Sequence, residues 1–236
     1  MARYDSLLKA LRSVDWNAEV AGFSSAGSEV ARVYNANYLI ALWSKELVSA
    51  DFGNPALSFV HEMQQAGFYA AALIGLALYK PAAAAIRTVF ETALYYSYFR
   101  CHPAELATLA RADDYYVTKK QVIDFHRQHT ANYRNNAQLF GQPQKLLTWY
   151  STVSAVVHGQ TPGAWTKLKA LSGIKRDPAT VAEVINTFER GVTNLHEFLI
   201  LTVAGELWSR FSTPAKRELL RGSTSRQRSR LGLDTA

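Results

Sequence analysis

An all-α architecture, a multi-helix bundle of long antiparallel helices, is what this sequence predicts. Three observations carry the prediction. Apolar residues recur three and four positions apart along most of the 236 residues, which places them on one face of a helix. No stretch alternates apolar and polar residues as a half-buried strand does. Proline, glycine and asparagine cut the pattern into lengths that suit helices.

The first apolar stripe is Tyr4, Leu7, Leu8, Leu11 and Val14. Residues 17–27 are mostly small and polar and read as a loop. Ser28 precedes a helical run to about Ala50, in which Val30, Val33, Tyr34, Leu39 and Leu42 roughly keep the period. Asp51, Gly53, Asn54 and Pro55 break it. A third helix, 55–79, should turn Phe59, Met63, Phe68, Ala72 and Leu76 inward. Lys80 and Pro81 mark a kink or short break, because the proline ring disfavours helical geometry in the residue before it. The helix over 81–100 opens with Pro81 and four alanines and ends at His102 and Pro103. Its alanines and aromatic rings predict burial on several sides. Shorter helices with polar faces fill 103–138. Leu146, Trp149, Tyr150, Val153 and Val157 place a helix over 143–158, and Gly159 follows as a C-terminal cap. A loop-rich connector of about twenty residues, with room for a short helix, leads to Asp177 and Pro178. These open a last long helix running to about Phe211.

Apolar residues make up 48% of the chain, enough for a sizeable core in one helical domain, 1–215. Cys101 is the sole cysteine, so no internal disulfide framework exists. Beside Arg100 and His102 it reads as a packed small hydrophobe. The first residues are charged throughout, unlike a secretory signal. The longest apolar run, 68–79, has 12 residues, short of the roughly 20 needed to span a bilayer. A cytoplasmic protein without a membrane partner is the expectation. The net charge is +7, and the segment 216–236 holds Lys216, Arg217, Arg221, Arg226, Arg228 and Arg230 against Glu218 and Asp234. The first 215 residues therefore carry only +3. This balance argues against extensive nonspecific DNA binding. The tail itself is rich in serine, arginine and glycine and reads as mobile.

Two polar pairs interrupt the most apolar stretches. Arg87 and Glu91 lie four apart in PAAAAIRTVFETALYY, and Ser154 and His158 four apart in LLTWYSTVSAVVHG. Residues four apart share a helix face. Burying a charge alone costs several kcal/mol, so such groups must find partners. These four are the candidate site. Tyr95 falls on the face of Arg87 and Glu91 one turn later, and Ser151 lies near the face of Ser154; both are candidate binding residues. His158 sits in the last helical turn and is the natural acid or base. Arg87 suits a phosphate or other anion. Either Arg87 or His158 is a target for orientation by Glu91. A Ser–His–Glu hydrolase does not follow, since Ser154 and His158 occupy one helix and no G-x-S-x-G turn exists.

Other motifs are weaker. His126 and His129 are three apart and offer two metal ligands at most, with Asp124 pointing elsewhere, so no metal or other cofactor is expected. The plainer reading of the pair is a solvated polar face. Asp113 and Asp114 before Tyr115 and Tyr116 read as a solvated turn.

The segments 75–96 and 146–159, with Arg-x-x-x-Glu in the first and Ser-x-x-x-His-Gly in the second, resemble an uncharacterised bacterial subgroup of HEPN-like proteins. The resemblance covers about 55–205. It implies an all-α bundle, frequently a homodimer. It implies metal-independent RNase activity in toxin–antitoxin or antiviral defence systems, with partner proteins of those systems. The motif of that superfamily is an arginine, four to six residues, then a histidine. Here Ser151, Thr152 and Val153 stand where the arginine belongs, so only His158 carries over, with Ser154 as a local variant. Arg87 is then the candidate to supply the guanidinium from the other helix. Arg190 and His196 fit the same spacing and read as a solvated arginine and a packed histidine. Two functions stay open: an RNA-binding or RNA-cleaving enzyme acting through Arg87, Glu91, Ser154 and His158, or a noncatalytic helical interaction module in which these residues form a structural hydrogen-bond network.

Overall fold

Among the residues described by the computed structural model, 4–165 and 168–234, all regular structure is helical. The chain runs through α1 (Asp5–Arg12), α2 (Trp16–Ser25), α3 (Gly27–Ala50), α4 (Leu57–Gly75) and α5 (Tyr79–Phe99). Then come α6 (Pro103–Leu109), α7 (Lys119–His129), α8 (Tyr133–Ala137), α9 (Gln144–Val157) and α10 (Pro178–Leu199). A π-helical turn at Ile200–Ala204 leads into α11 (Gly205–Leu207), and α12 (Thr213–Leu219) and α13 (Ser225–Leu231) follow.

The helix bundle is organised around α5, which lies against α4, α7, α9 and α10. Its sequence explains this position. Ala82 and Ala83 leave room for close neighbours, and Ile86, Val89, Phe90, Leu94, Tyr96 and Phe99 bury the other sides. Each large apolar side chain removed from water contributes about 1.5–3 kcal/mol. Against α4 stands α3, whose buried residues Val33, Ala36, Ile40, Trp43, Leu47 and Ala50 alternate three- and four-residue steps. These two helices meet at Gly67, where a β-carbon would stand 2.8 Å from the Asn37 side chain. Because small residues make this seam, Phe68 is turned to solvent rather than inward as its spacing predicts.

One core cluster reaches from Val14 to Leu233. The predicted loop at 17–27 is mostly α2 instead, started by the Asp15 carboxylate accepting from the Ala18 N–H at 2.9 Å. The break foreseen at Lys80 and Pro81 falls earlier, at 76–78, where Ala77 takes φ 55°. Pro81 is accommodated in the first turn of α5, where a missing N–H costs nothing. The stripe on α1 does form, but Tyr4, Leu7, Leu8 and Leu11 are exposed. The connector holds one short 3-10 turn, Leu171–Gly173, and its residues 166–167 lie outside the described residues.

Within the basic segment 216–236 the end of α12 and all of α13 are helical, and part of the segment packs on the core. Glu46, buried on α3, accepts the Ser212 N–H at 2.8 Å and the Ser212 hydroxyl at 3.0 Å, which fixes the start of α12. Leu219, Leu220 and Leu233 are buried, and the Trp208 indole N–H donates to the Asp234 carbonyl at 2.8 Å. The leucines among the arginines supply the apolar surface that composition alone conceals. Residues 235–236 of the predicted tail lie outside the described residues. No helix among the described residues is long and apolar enough to cross a membrane.

Candidate functional site

Helices α5 and α9 pack side by side and bring Arg87, Glu91 and His158 to one place. Arg87 and Glu91 sit one turn apart on α5, and the Arg87 Nε and Nη2 both donate to Glu91 Oε1, at 3.0 and 2.8 Å. From α9, Tyr150 joins them. Its hydroxyl donates to Glu91 Oε1 and accepts from Arg87 Nε at 2.7 Å. His158 follows the last residue of α9, its N–H bonded to the Ser154 carbonyl at 2.9 Å. Gly159 takes φ 70° and turns the chain away, a conformation that suits glycine. This leaves the imidazole exposed, with Nε2 2.7 Å from Arg87 Nη1. A guanidinium only donates. Nε2 is therefore the acceptor, and a neutral ring carries its proton on Nδ1.

The surroundings are cationic. The Lys119 ammonium, at the start of α7, lies 3.9 Å from the centre of the Tyr150 ring, a cation–π contact. The Lys80 ammonium lies 3.7 Å from where a β-carbon on Gly159 would stand. Arg87, Lys80 and Lys119 against Glu91 leave net positive charge at a surface that water reaches. Burial acts to lower the Arg87 pKa, but the hydrogen bond and charge of Glu91, with Tyr150, outweigh it and raise it above the ordinary value. Arg87 is a fixed cation. One hydrogen on each of its terminal nitrogens has no partner among the described residues.

Arg87, Glu91 and His158 thus meet as the spacing suggests, whereas the serines do not join them. The Ser154 hydroxyl is buried and has no hydrogen-bond partner among the described residues. It does not reach His158, so no serine nucleophile is activated there. Ser151 is exposed and lines a different groove with Gln144, Thr148 and Glu183. Tyr95 is half-buried, edge-on to Phe59 and Phe99, and shares with Glu91 the lining of a cavity beside the cluster. Burial, then the charges of Glu91 and Tyr150, push its hydroxyl pKa up. Three participants escaped the sequence reading, among them Lys80, which reads only as part of a helix break. Tyr150 lies four residues before Ser154, so the helical period does place it on the right face, but it reads equally as core. Lys119 arrives from a distant helix and left no local signal.

The remaining candidates resolve differently. His126 is buried rather than solvated, and its ring is held by two hydroxyls, Ser97 at 3.0 Å and Thr130 at 2.8 Å. No group of three or more His, Cys, Asp or Glu able to hold a metal exists among the described residues. Cys101 is exposed rather than packed, because it follows the C-terminal end of α5, where the chain leaves the core. Arg190 is exposed, and His196 Nδ1 accepts from the buried Trp43 indole at 3.0 Å.

What this arrangement can do follows from its groups. A neutral imidazole nitrogen, a fixed guanidinium and two ammonium groups suit an anion whose neighbouring hydroxyl loses or gains a proton. No family model, curated protein or solved structure matches the chain, so its own geometry carries the functional reading.

Proposed function

We propose that the Arg87–Glu91–Tyr150–His158 cluster binds a phosphate group of RNA, and that His158 serves there as acid or base in metal-independent cleavage. The observation that carries this reading is the 2.7 Å contact between Arg87 Nη1 and His158 Nε2 at a solvent-reached surface. Glu91 and Tyr150 hold the guanidinium in one orientation, and a phosphate displacing the imidazole from Arg87 frees Nε2 for proton transfer. Lys80 and Lys119 add attraction for the chain of phosphates. The reading agrees with the HEPN-like resemblance of 75–96 and 146–159, and the homodimer, a defence-system partner and a cytoplasmic setting belong to the same proposal.

A second reading has its own support. Glu91 Oε1 takes three hydrogen bonds, from two nitrogens of Arg87 and from Tyr150. Such saturation suits a lock between α5 and α9 in a noncatalytic interaction module. The two readings separate in one experiment with labelled single-stranded RNA and EDTA present, comparing wild type, Arg87→Gln and His158→Ala. The enzyme reading expects cleavage by wild type only, with RNA affinity kept in His158→Ala and weakened roughly tenfold or more in Arg87→Gln. RNA left intact by all three, with equal affinities, sinks it. A lowered melting temperature for Arg87→Gln as the sole effect favours the lock.

A further inference from the structure

Beside the cluster, between α5 and α7, lies a half-enclosed cavity of about 200 Å³. Leu94 and Val122 are buried apolar residues of its lining, which also includes Tyr95, the exposed Tyr116, Glu91 and Lys119. It is smaller than the roughly 300–1,000 Å³ of sites for drug-sized ligands, so it takes one ring system and not a whole oligomer. Glu91 and Lys119 belong to both places. Glu91 pairs with Arg87, and Lys119 lies over the Tyr150 ring. A ligand anchored at the cations therefore has the cavity within its own length.

The groups lining the cavity say which ring. All hydrogen bonds to the Glu91 carboxylate fall on Oε1, and Oε2 has no partner among the described residues. It is an acceptor with open capacity beside apolar and aromatic walls. The ligand that matches is planar, stacks on a tyrosine, and carries an N–H on its edge. Nucleobases meet all three requirements, and stacking is open to every base because each has a π-face. A phosphate alone leaves the cavity unfilled, and an aliphatic chain leaves Oε2 facing apolar atoms.

We propose that this cavity is a nucleobase pocket, so that the site takes an unpaired nucleotide with its phosphate at Arg87, His158 and Lys119 and its base against Tyr95 and Tyr116. The inference rests on the phosphate reading above and makes single-stranded RNA, not duplex, the substrate class. A base inside a helix cannot enter without leaving its stack.

The test uses the full chain and ligand-observed NMR titrations with the four nucleoside 5′-monophosphates and with ribose 5-phosphate. Wild type, Tyr116→Ala, Tyr116→Phe and Arg87→Gln are compared. Tyr116 is exposed, so its replacement leaves the core intact. The expected result is nucleotide binding about tenfold tighter than ribose 5-phosphate. Tyr116→Ala weakens nucleotides at least about fivefold without changing ribose 5-phosphate, and Tyr116→Phe restores them. Arg87→Gln weakens both ligands. Equal binding of nucleotides and ribose 5-phosphate, unaffected at Tyr116 but lost in Arg87→Gln, overturns the base pocket and leaves the phosphate site standing. Binding of neither ligand overturns both.

Discussion

Acid should destabilise this protein through a histidine that is not part of the candidate site. His126 is buried between α5 and α7, and its hydrogen bonds fix its proton. The Ser97 hydroxyl spends its one hydrogen on the Leu94 carbonyl at 2.8 Å. It can only accept from His126 Nε2–H, so Nδ1 accepts from Thr130. This is a neutral imidazole. Burial first, then the charges of Arg100 and His102, push its pKa from 6.5 down to about 3. Above pH 6.5 the ring is neutral in both folded and unfolded chains, and no stability depends on it. Below 6.5 the unfolded chain takes up a proton that the folded one refuses, so stability falls as pH falls, down to about 3. Each pH unit costs about 1.4 kcal/mol, which makes the loss about 2 kcal/mol at pH 5. His196, whose pKa burial lowers to about 4, has the same sign and adds about 2 kcal/mol by pH 5. Urea unfolding at pH 7.5 and 5.0 measures the sum. His126→Gln, which keeps two hydrogen-bonding ends and cannot titrate, should roughly halve the loss. An equal loss in wild type and variant would show that His126 takes up its proton without unfolding.

Two more perturbations test the packing. A β-carbon at Gly191 would lie 2.3 Å from the buried Trp149 ring, whose indole N–H donates to the Thr187 carbonyl at 2.9 Å. Gly191→Ala gains about 1 kcal/mol of helix propensity, but the clash should exceed it and lower the melting temperature; a rise would mean that α9 and α10 separate freely. Glu46→Ala strips two acceptor contacts from Ser212 and should cost about 2–4 kcal/mol. Trypsin should then cut more rapidly at the basic residues after Ser212. Unchanged cleavage would mean that the buried leucines alone hold the tail.

The long central helices were legible because their burial is periodic. On α3 the helix itself was legible but its inward face was not: of Val30, Val33, Tyr34, Leu39 and Leu42 only Val33 is buried, Tyr34 is exposed, and the seam runs through Val33, Ala36, Ile40, Trp43 and Leu47. What the sequence hid is tertiary. Phe68 looks like core until Gly67 claims the seam with α3. Residues 17–27 look like loop until Asp15 caps them, and the composition of 216–236 hides the helical turns and buried leucines that follow Ser212. At the site, helical period put Arg87 with Glu91 and Ser154 with His158 on one face of each helix, and the need of polar groups for partners suggested that the two faces meet. The same period could not tell Ser154, whose hydroxyl is sealed away, from Tyr150, whose hydroxyl reaches the guanidinium. Both lie on one helical face, and the length of the side chain decides which arrives. Lys119 depends on the path of the chain between α5 and α7, which no local pattern encodes.

The π-helical turn has a further consequence. Ile200, Leu201, Thr202, Val203 and Ala204 are buried in succession, and Leu201 also joins Tyr133 and Ala137 in a small cluster of its own. Successive positions along a coil of this kind point around the whole circumference, so neighbours enclose this stretch from every direction. A saturation mutagenesis profile would therefore change character along the chain. Through α10 sensitivity to polar replacement should recur with the rhythm of the helix, and at these five positions it should become an unbroken band.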